Sequence, residues 1–208
     1  MIEGFATQEG TTNFSGKSLA RKENFRKIHD LVLSNVGIGT YLGNTDLETD
    51  MQQKNAIKQS ILHGVNVIDT AINYRAQKSE RTVGKAVSEL IEEGKINRSE
   101  IFVSTKNGYV TNDADIQEDF MAYIMREFGK TGIVKEGDIS AQYNCMTIPF
   151  LEDQLARSQK NLGLDCIDLM YLHNAVEGQP QMPRDEFIAQ LKNVFEFFEK
   201  QRKQQNIR

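Results

Sequence analysis

The sequence predicts an α/β fold built on a parallel sheet, and two observations predict it. A short apolar run followed by a helical stripe recurs four times along the chain, with glycines at several of the joins. Three titratable residues, Asp69, Lys106 and His173, stand at the carboxyl ends of the second, third and fourth runs. Strand followed by helix, repeated, calls for right-handed crossovers between parallel strands. Doubly wound sheets and (β/α)8 barrels both begin in this way, and periodicity by itself does not separate them.

The elements follow in order. Residues 1–33 are polar and mixed and read as an irregular arm or hairpin. Val36, Ile38 and Thr40 alternate with Gly37 and Gly39, which gives a short first strand. Two overlapping helix starts follow, Thr45-x-x-Glu48 and Thr49-x-x-Gln52, then the stripe Ile57, Ile61 and Leu62, stopped by Gly64. Residues 65–71 form a second strand. Ser79 is read as the cap of a helix whose apolar face is Val83, Val87, Leu90 and Ile91, ended by Gly94. Residues 101–105 form a third strand. A long connection over 108–147 contains a helix near 115–128 bearing Met121, Ile124 and Phe128. Leu151, Leu155 and Leu162 mark a helix closed by Gly163, and 166–172 is the fourth strand. A last helix opens at Asp185, with Phe187, Ile188, Leu191, Val194, Phe195 and Phe198 on one side; 206–208 resembles the start of a fifth strand.

Composition narrows the function. The 208 residues are 39% apolar and 26% charged with a net charge of −4, which suits a folded soluble domain and argues against nucleic acid or an anionic membrane as partner. The basic tail Lys200, Arg202, Lys203 and Arg208 reads as a solvated helix end. No apolar run approaches the roughly 20 residues that span a bilayer, and residues 1–17 show no secretion signal. Cys145 and Cys166 form no C-x-x-C pair, so no metal site is expected. Two reduced, buried thiols in a cytoplasmic protein are the expectation, with a structural disulfide as the alternative.

In an eight-stranded barrel the strand ends bearing Asp69, Lys106 and His173 point into one shared mouth, where barrel enzymes keep their chemistry. Tyr74, five residues after Asp69, is close enough to lean into it. A single charge at a strand end is usually a turn residue; three at successive strand ends point to a site. The rival reading, a dinucleotide fingerprint at Gly37-x-Gly39, fails because position 42 is Leu42 and residues 57–60 contain no acid. Gly37 and Gly39 read instead as close backbone packing. His29 and His63 match no motif and read as structural or exposed.

These segments resemble the aldo-keto reductase family. The run I-D-T-A-I-N-Y-R-A-Q-K-S-E-R-T-V-G from Ile68 resembles that family's D-T-A-x-x-Y-x-x-x-x-S-E-x-x-x-G, in the form common in its potassium-channel β-subunit-like branch. F-V-S-T-K-N-G resembles the strand bringing the catalytic lysine, S-Q-K-N-L-G-L-D-C-I-D-L-M-Y-L-H the strand bringing the histidine, and V-G-I-G-T-Y-L-G the first strand. The resemblance implies a (β/α)8 barrel that reduces an aldehyde or ketone with NADPH and without a metal. It implies Tyr74 as general acid and Lys106 as the charge that eases loss of its proton. Asp69 would hold Lys106, and His173 would orient the substrate oxygen. Gly39, Thr40, Tyr41 and Asp69 would lie on the cofactor side.

Some features depart from the family pattern. Asn174 follows the histidine where many members have Trp-Pro or Asp, and 108–147 is longer than the usual loop. A barrel of this kind takes about 250 residues, so residues 34–208 are expected to form its N-terminal half, roughly four β/α units, with 108–147 as an extended loop insertion. The isolated chain is then expected to lack turnover and to self-associate or pair with a C-terminal half. The alternative is a non-catalytic half-barrel, acting as an association module or a degenerate remnant.

Overall fold

The computed structural model describes residues 1–208. The chain opens with helix α1 (Gln8–Lys17), then an antiparallel hairpin of β1 (Phe25–Ile28) and β2 (Leu31–Ser34). From there strands and helices alternate: β3 (Ile38–Gly39), α2 (Leu47–Leu62), β4 (Val67–Asp69), α3 (Lys78–Glu92) and β5 (Phe102–Asn107). The long connection carries α4 (Phe120–Ile124), which runs into a π-helical turn at Met125–Gly129. The chain continues with α5 (Ile148–Leu162), β6 (Leu169–Leu172), α6 (Ala175–Gly178) and α7 (Arg184–Lys203).

The four strands β3-β4-β5-β6 are parallel and lie in chain order. That order separates the two architectures the sequence left open. A doubly wound sheet reverses at a switch point, whereas a barrel adds each strand beside the last. Ile207 continues the series through a parallel bridge to Ile167, its neighbour Arg208 donating to the Ile167 carbonyl at 2.9 Å.

Helices cover one face only. Ile68, Val103 and Met170 point back into a core with Ile57, Val83, Val87, Leu90 and Leu155, all buried. Along that layer α2 packs on α3, α3 on α5, and α5 on α7. Asp69, Ser104, Lys106 and Tyr171 share the opposite face, since the register pairs Asp69 with Ser104 and Lys106 with Tyr171. The hairpin seals the amino end of the sheet, Leu31 and Leu33 packing with Ala6 against Val67 and Phe102. Each such leucine contributes about 2 kcal/mol.

A buried ion pair ties this end together. Asp168 Oδ2 meets Arg98 Nη2 at 2.7 Å and accepts from Val103 N at 2.8 Å, while Oδ1 accepts from Ala6 N at 2.6 Å. One carboxylate thereby fixes the N-terminal segment, the start of β5 and the approach to β6.

Several local expectations need correction. Residues 8–17, read as irregular, form α1 despite Gly10, Thr11, Thr12, Asn13 and Gly16, all poor helix formers. Tertiary contact overrides propensity here: Phe14 is buried, and Gly10 lies so close to the Ser99 backbone that a Cβ there would collide with it. The cap of α2 is Asp46, which accepts from Thr49 N at 2.7 Å, rather than either threonine. Ser79 does not cap α3; its hydroxyl donates to the Thr40 carbonyl at 2.7 Å, across to the end of β3. On α7 the buried face is Val194, Phe197, Phe198 and Gln201, leaving Ile188 and Phe195 exposed. Met121 is exposed as well, while Tyr123, Ile124 and Phe128 are buried. Cys145 and Cys166 are both buried and unpaired, and burial pushes the Cys166 thiol up to about 11.

Candidate active site

The uncovered face ends in a pocket of about 470 Å³ lined by Asp69, Tyr74, Lys106, Tyr171, Leu172, His173 and Asn174. Asp69 closes β4, Lys106 is the penultimate residue of β5, and His173 directly follows β6. Adjacent parallel strands are separated by about 4.8 Å, so these three ends deliver their side chains to one place. Tyr74 arrives from the turn after β4, its N–H donating to the Ala71 carbonyl at 3.0 Å.

Lys106 is the centre of the cluster. Its Nζ donates to Asp69 Oδ2 at 2.7 Å and to the Thr70 carbonyl at 2.8 Å, and lies 4.5 Å from the centroid of the Tyr74 ring. The ammonium thus touches Tyr74 through its ring face, where a cation is attracted. The other oxygen of Asp69 accepts from Ser104 Oγ at 3.0 Å. Ser104 carries no motif of its own; its position two residues before Lys106 on the same face of β5 is the signal that could have found it.

His173 packs edge-on against Tyr74, with ring centroids 5.8 Å apart, and against Tyr109 at 4.8 Å. Burial, helped by the nearby Lys106 charge and opposed by Asp69, pushes its pKa down to about 4. The ring is therefore neutral near pH 7. Its Nδ1 is buried without a partner, which leaves Nε2 as the nitrogen available to a ligand in the pocket.

The residues read as lying on the cofactor side divide. Gly39 has open space where a Cβ would stand, and Tyr41 is exposed, its ring edge-to-face with Tyr74 at 4.9 Å. Thr40 is turned inward: its hydroxyl meets Thr70 Oγ1 at 2.8 Å, and its carbonyl accepts from Ser79 and Gln53. It supports the rim and does not face it.

The turn after Tyr74 holds three successive left-handed residues, Arg75 (φ 49°), Ala76 (φ 48°) and Gln77 (φ 75°). Each costs roughly 1–2 kcal/mol outside glycine. Two buried side chains oppose that strain. Arg75 donates to the Asn44 carbonyl at 2.6 Å, to Gln53 Oε1 at 3.0 Å and to Asp50, and Gln77 donates to the Asn112 carbonyl at 3.1 Å. The strained turn sets where Tyr74 stands.

Known proteins resemble this chain in sequence and fold. Residues 35–208 match the family model described as the aldo/keto reductase family. Over 138 residues the chain is 29% identical to the uncharacterized oxidoreductase YtbE of Bacillus subtilis (strain 168), a stretch covering 66% of this chain and 36% of YtbE. The fold is similar to an aldo-keto reductase from Bacillus halodurans in its holo form (TM-score 0.55, 22% identity, 88% of this chain and 48% of that one). It is also similar to an aldo-keto reductase from Klebsiella pneumoniae in complex with NADPH (TM-score 0.51, 19% identity, 86% and 44%). The chain spans less than half the length of each of these proteins. With the matched region beginning just past the hairpin and running through all four parallel strands and the whole pocket, the chain belongs to the aldo/keto reductase family.

Proposed function

We propose that this chain carries the acid–base half of an NADPH-dependent carbonyl reductase, acting on an aldehyde or ketone. The observation that carries the reading is the convergence of Asp69, Tyr74, Lys106 and His173 on one pocket at three adjacent strand ends. A neutral imidazole, a phenol and an ammonium around one cavity suit a carbonyl oxygen that gains negative charge and then a proton.

NADPH, when bound, supplies the hydride that reaches the carbonyl carbon. Its reacting end fits what stands at the end of β3: open space above Gly39 and the exposed ring of Tyr41. The Klebsiella pneumoniae relative, which holds NADPH, supports the choice of cofactor. His173, held neutral, donates from Nε2 to the carbonyl oxygen and orients it. Tyr74 gives its hydroxyl proton to that oxygen, leaving an alcohol and a tyrosinate that takes a proton back from solvent. Lys106 lowers the cost of the transient negative charge on Tyr74. Asp69, itself held by Ser104, fixes Lys106 in place. The run from Asp69 to Gly84 supports placing the chain in the family's potassium-channel β-subunit-like branch.

The reading is tested in a barrel completed with strands five to eight and shown to bind NADPH. Aldehyde-dependent NADPH oxidation should appear there and fall sharply in Tyr74→Phe, with cofactor affinity kept.

A second reading, an association module, has its own observation. The two helices at the ends of the helical layer, α2 and α7, each expose apolar side chains on their flanks: Leu47 and Met51 on one, Ile188 and Phe195 on the other. These flanks would be covered by a second half-barrel, and pairing of that kind is compatible with the catalytic reading.

A further inference from the structure

The long connection between β5 and α5 carries no residue of the proposed acid–base set, yet its two ends meet directly behind His173. Tyr109 and Asn144 form an antiparallel bridge, flanked by Val110 N donating to the Tyr143 carbonyl and Cys145 N to the Gly108 carbonyl, both at 2.8 Å. The connection thus leaves and returns at one point, and that point lies against His173, which lines the pocket. The Tyr109 ring stands edge-on to the His173 ring, with an interplanar angle of 89°.

Asn144 is fully buried and both ends of its side-chain amide are bonded. Nδ2 donates to the His173 carbonyl at 3.2 Å, and Oδ1 accepts from Gln179 Nε2 at 3.0 Å. The fit leaves no slack: a Cβ on Gly178 would lie 2.7–2.8 Å from the Asn144 side chain. On its other side His173 donates its own N–H to the Asn107 carbonyl at 2.7 Å. The residue after it, Asn174, is left-handed at φ 44°, a conformation that needs external support in a non-glycine residue. The backbone of His173 is therefore gripped from both sides, by the end of β5 and by Asn144.

We infer that Asn144 is a positioning residue: it seats His173 in the pocket, and the connection over 108–147 is the element that delivers it. The inference rests on the proposed role of His173 in orienting the carbonyl oxygen. Its geometry stands apart from turnover, because the seat is a property of the imidazole's surroundings. Loss of the Asn144 amide removes the partner of the His173 carbonyl, frees the left-handed turn, and lets the ring swing out from between Tyr74 and Tyr109 into water. The titratable groups facing that ring are Lys106, Asp69, Tyr74 and Tyr109.

The test is NMR titration of the His173 imidazole in the full 208-residue chain, its signal assigned by loss in His173→Gln. In the parent chain the midpoint is expected near 4. In Asn144→Ala it should rise by at least about one unit toward 6.5, as burial is lost. Asn161→Ala is the control, since Asn161 bonds Glu80 and Gln77 away from this point; the His173 midpoint should stay where it is. If Asn144→Ala does not fold, Gln179→Met, which removes the bonds to Asn144 Oδ1 and to its carbonyl, takes its place and should shift the midpoint in the same direction. A folded Asn144→Ala, or Gln179→Met in its stead, whose His173 midpoint equals that of the parent or of the control overturns the inference.

Discussion

Replacing Asp168 by asparagine should unlatch the amino end of the sheet, and the structure sets the size of the effect. The Asp168 side chain is fully buried and that of Arg98 only 5% exposed, so neither partner can fall back on water. Burial raises the Asp168 carboxyl above its ordinary range, while the Arg98 charge and the N–H groups of Val103 and Ala6 oppose that rise. Asparagine keeps one acceptor and replaces the other with an NH2 group aimed at donors. The guanidinium loses its countercharge, and at least one backbone N–H loses its partner. Removing one side of such a pair costs about 3–5 kcal/mol, a large share of the roughly 5–15 kcal/mol that holds a domain folded. For a chain of this size the melting temperature should drop by roughly 10 °C. Urea denaturation followed by far-ultraviolet circular dichroism measures the change directly. Arg98→Met with Asp168→Asn, which removes the uncompensated charge and keeps an acceptor for one backbone N–H, should recover part of the loss. An Asp168→Asn variant within about 0.5 kcal/mol of the parent, the range of ordinary surface changes, would refute the latch.

Three further outcomes are expected. Lys106→Met removes a charge 4.5 Å from the Tyr74 ring centroid; at an effective dielectric of about 20 that charge is worth roughly 4 kcal/mol, so turnover of a completed barrel at neutral pH should fall by about 10²–10³, and an unchanged rate would remove Lys106 from the mechanism. His173 has a folded pKa of about 4 against an ordinary 6.5: between these values the unfolded chain takes up a proton that the folded chain refuses. Its contribution to stability is therefore full above pH 6.5, declines as pH falls, and is gone below about pH 4; with the ring half-buried it amounts to roughly 1–2 kcal/mol. Urea midpoints should fall less over this range in His173→Gln, and equal slopes would contradict the assignment. The isolated chain should self-associate through the flanks bearing Leu47, Met51, Ile188 and Phe195, seen as a mass above 23.6 kDa in light scattering; a monomer across the micromolar range would count against it.

What the sequence disclosed and what it hid follow one physical line. Asp69, Lys106 and His173 were legible because each ends an apolar run of strand length, and a strand end in a parallel sheet has a fixed destination. Strand order was not legible, because the 2.0 and 3.6 periodicities describe each element and say nothing about its neighbours. Helix α1 was hidden because its stability comes from Phe14 and from the contact of Gly10 with Ser99, both long-range, while its local composition opposes helix. Ser79 looked like a cap because serine before an apolar stripe usually is one; here its hydroxyl serves the Thr40 carbonyl instead. Thr40 was placed on the cofactor side by the family resemblance, and its side chain bonds Thr70 inside. Ser104 was within reach only through its place two residues before Lys106, while Asn144 bonds the carbonyl of a residue 29 positions away, a separation no local pattern records.

The most direct test of the central claim is Tyr74→Phe in a completed barrel. The C-terminal half of a family member such as the Bacillus halodurans enzyme supplies strands five to eight, and NADPH fluorescence selects an assembly that binds the cofactor. NADPH oxidation is then followed with a reactive aldehyde, beside the 208-residue chain alone. The expected result is turnover in the assembly, no turnover in the chain alone, and a fall of about 10²–10⁴ in Tyr74→Phe with NADPH affinity unchanged. An assembly that binds NADPH and reduces the aldehyde as fast with phenylalanine at position 74 as with tyrosine would contradict the claim that these strand ends carry the acid–base chemistry.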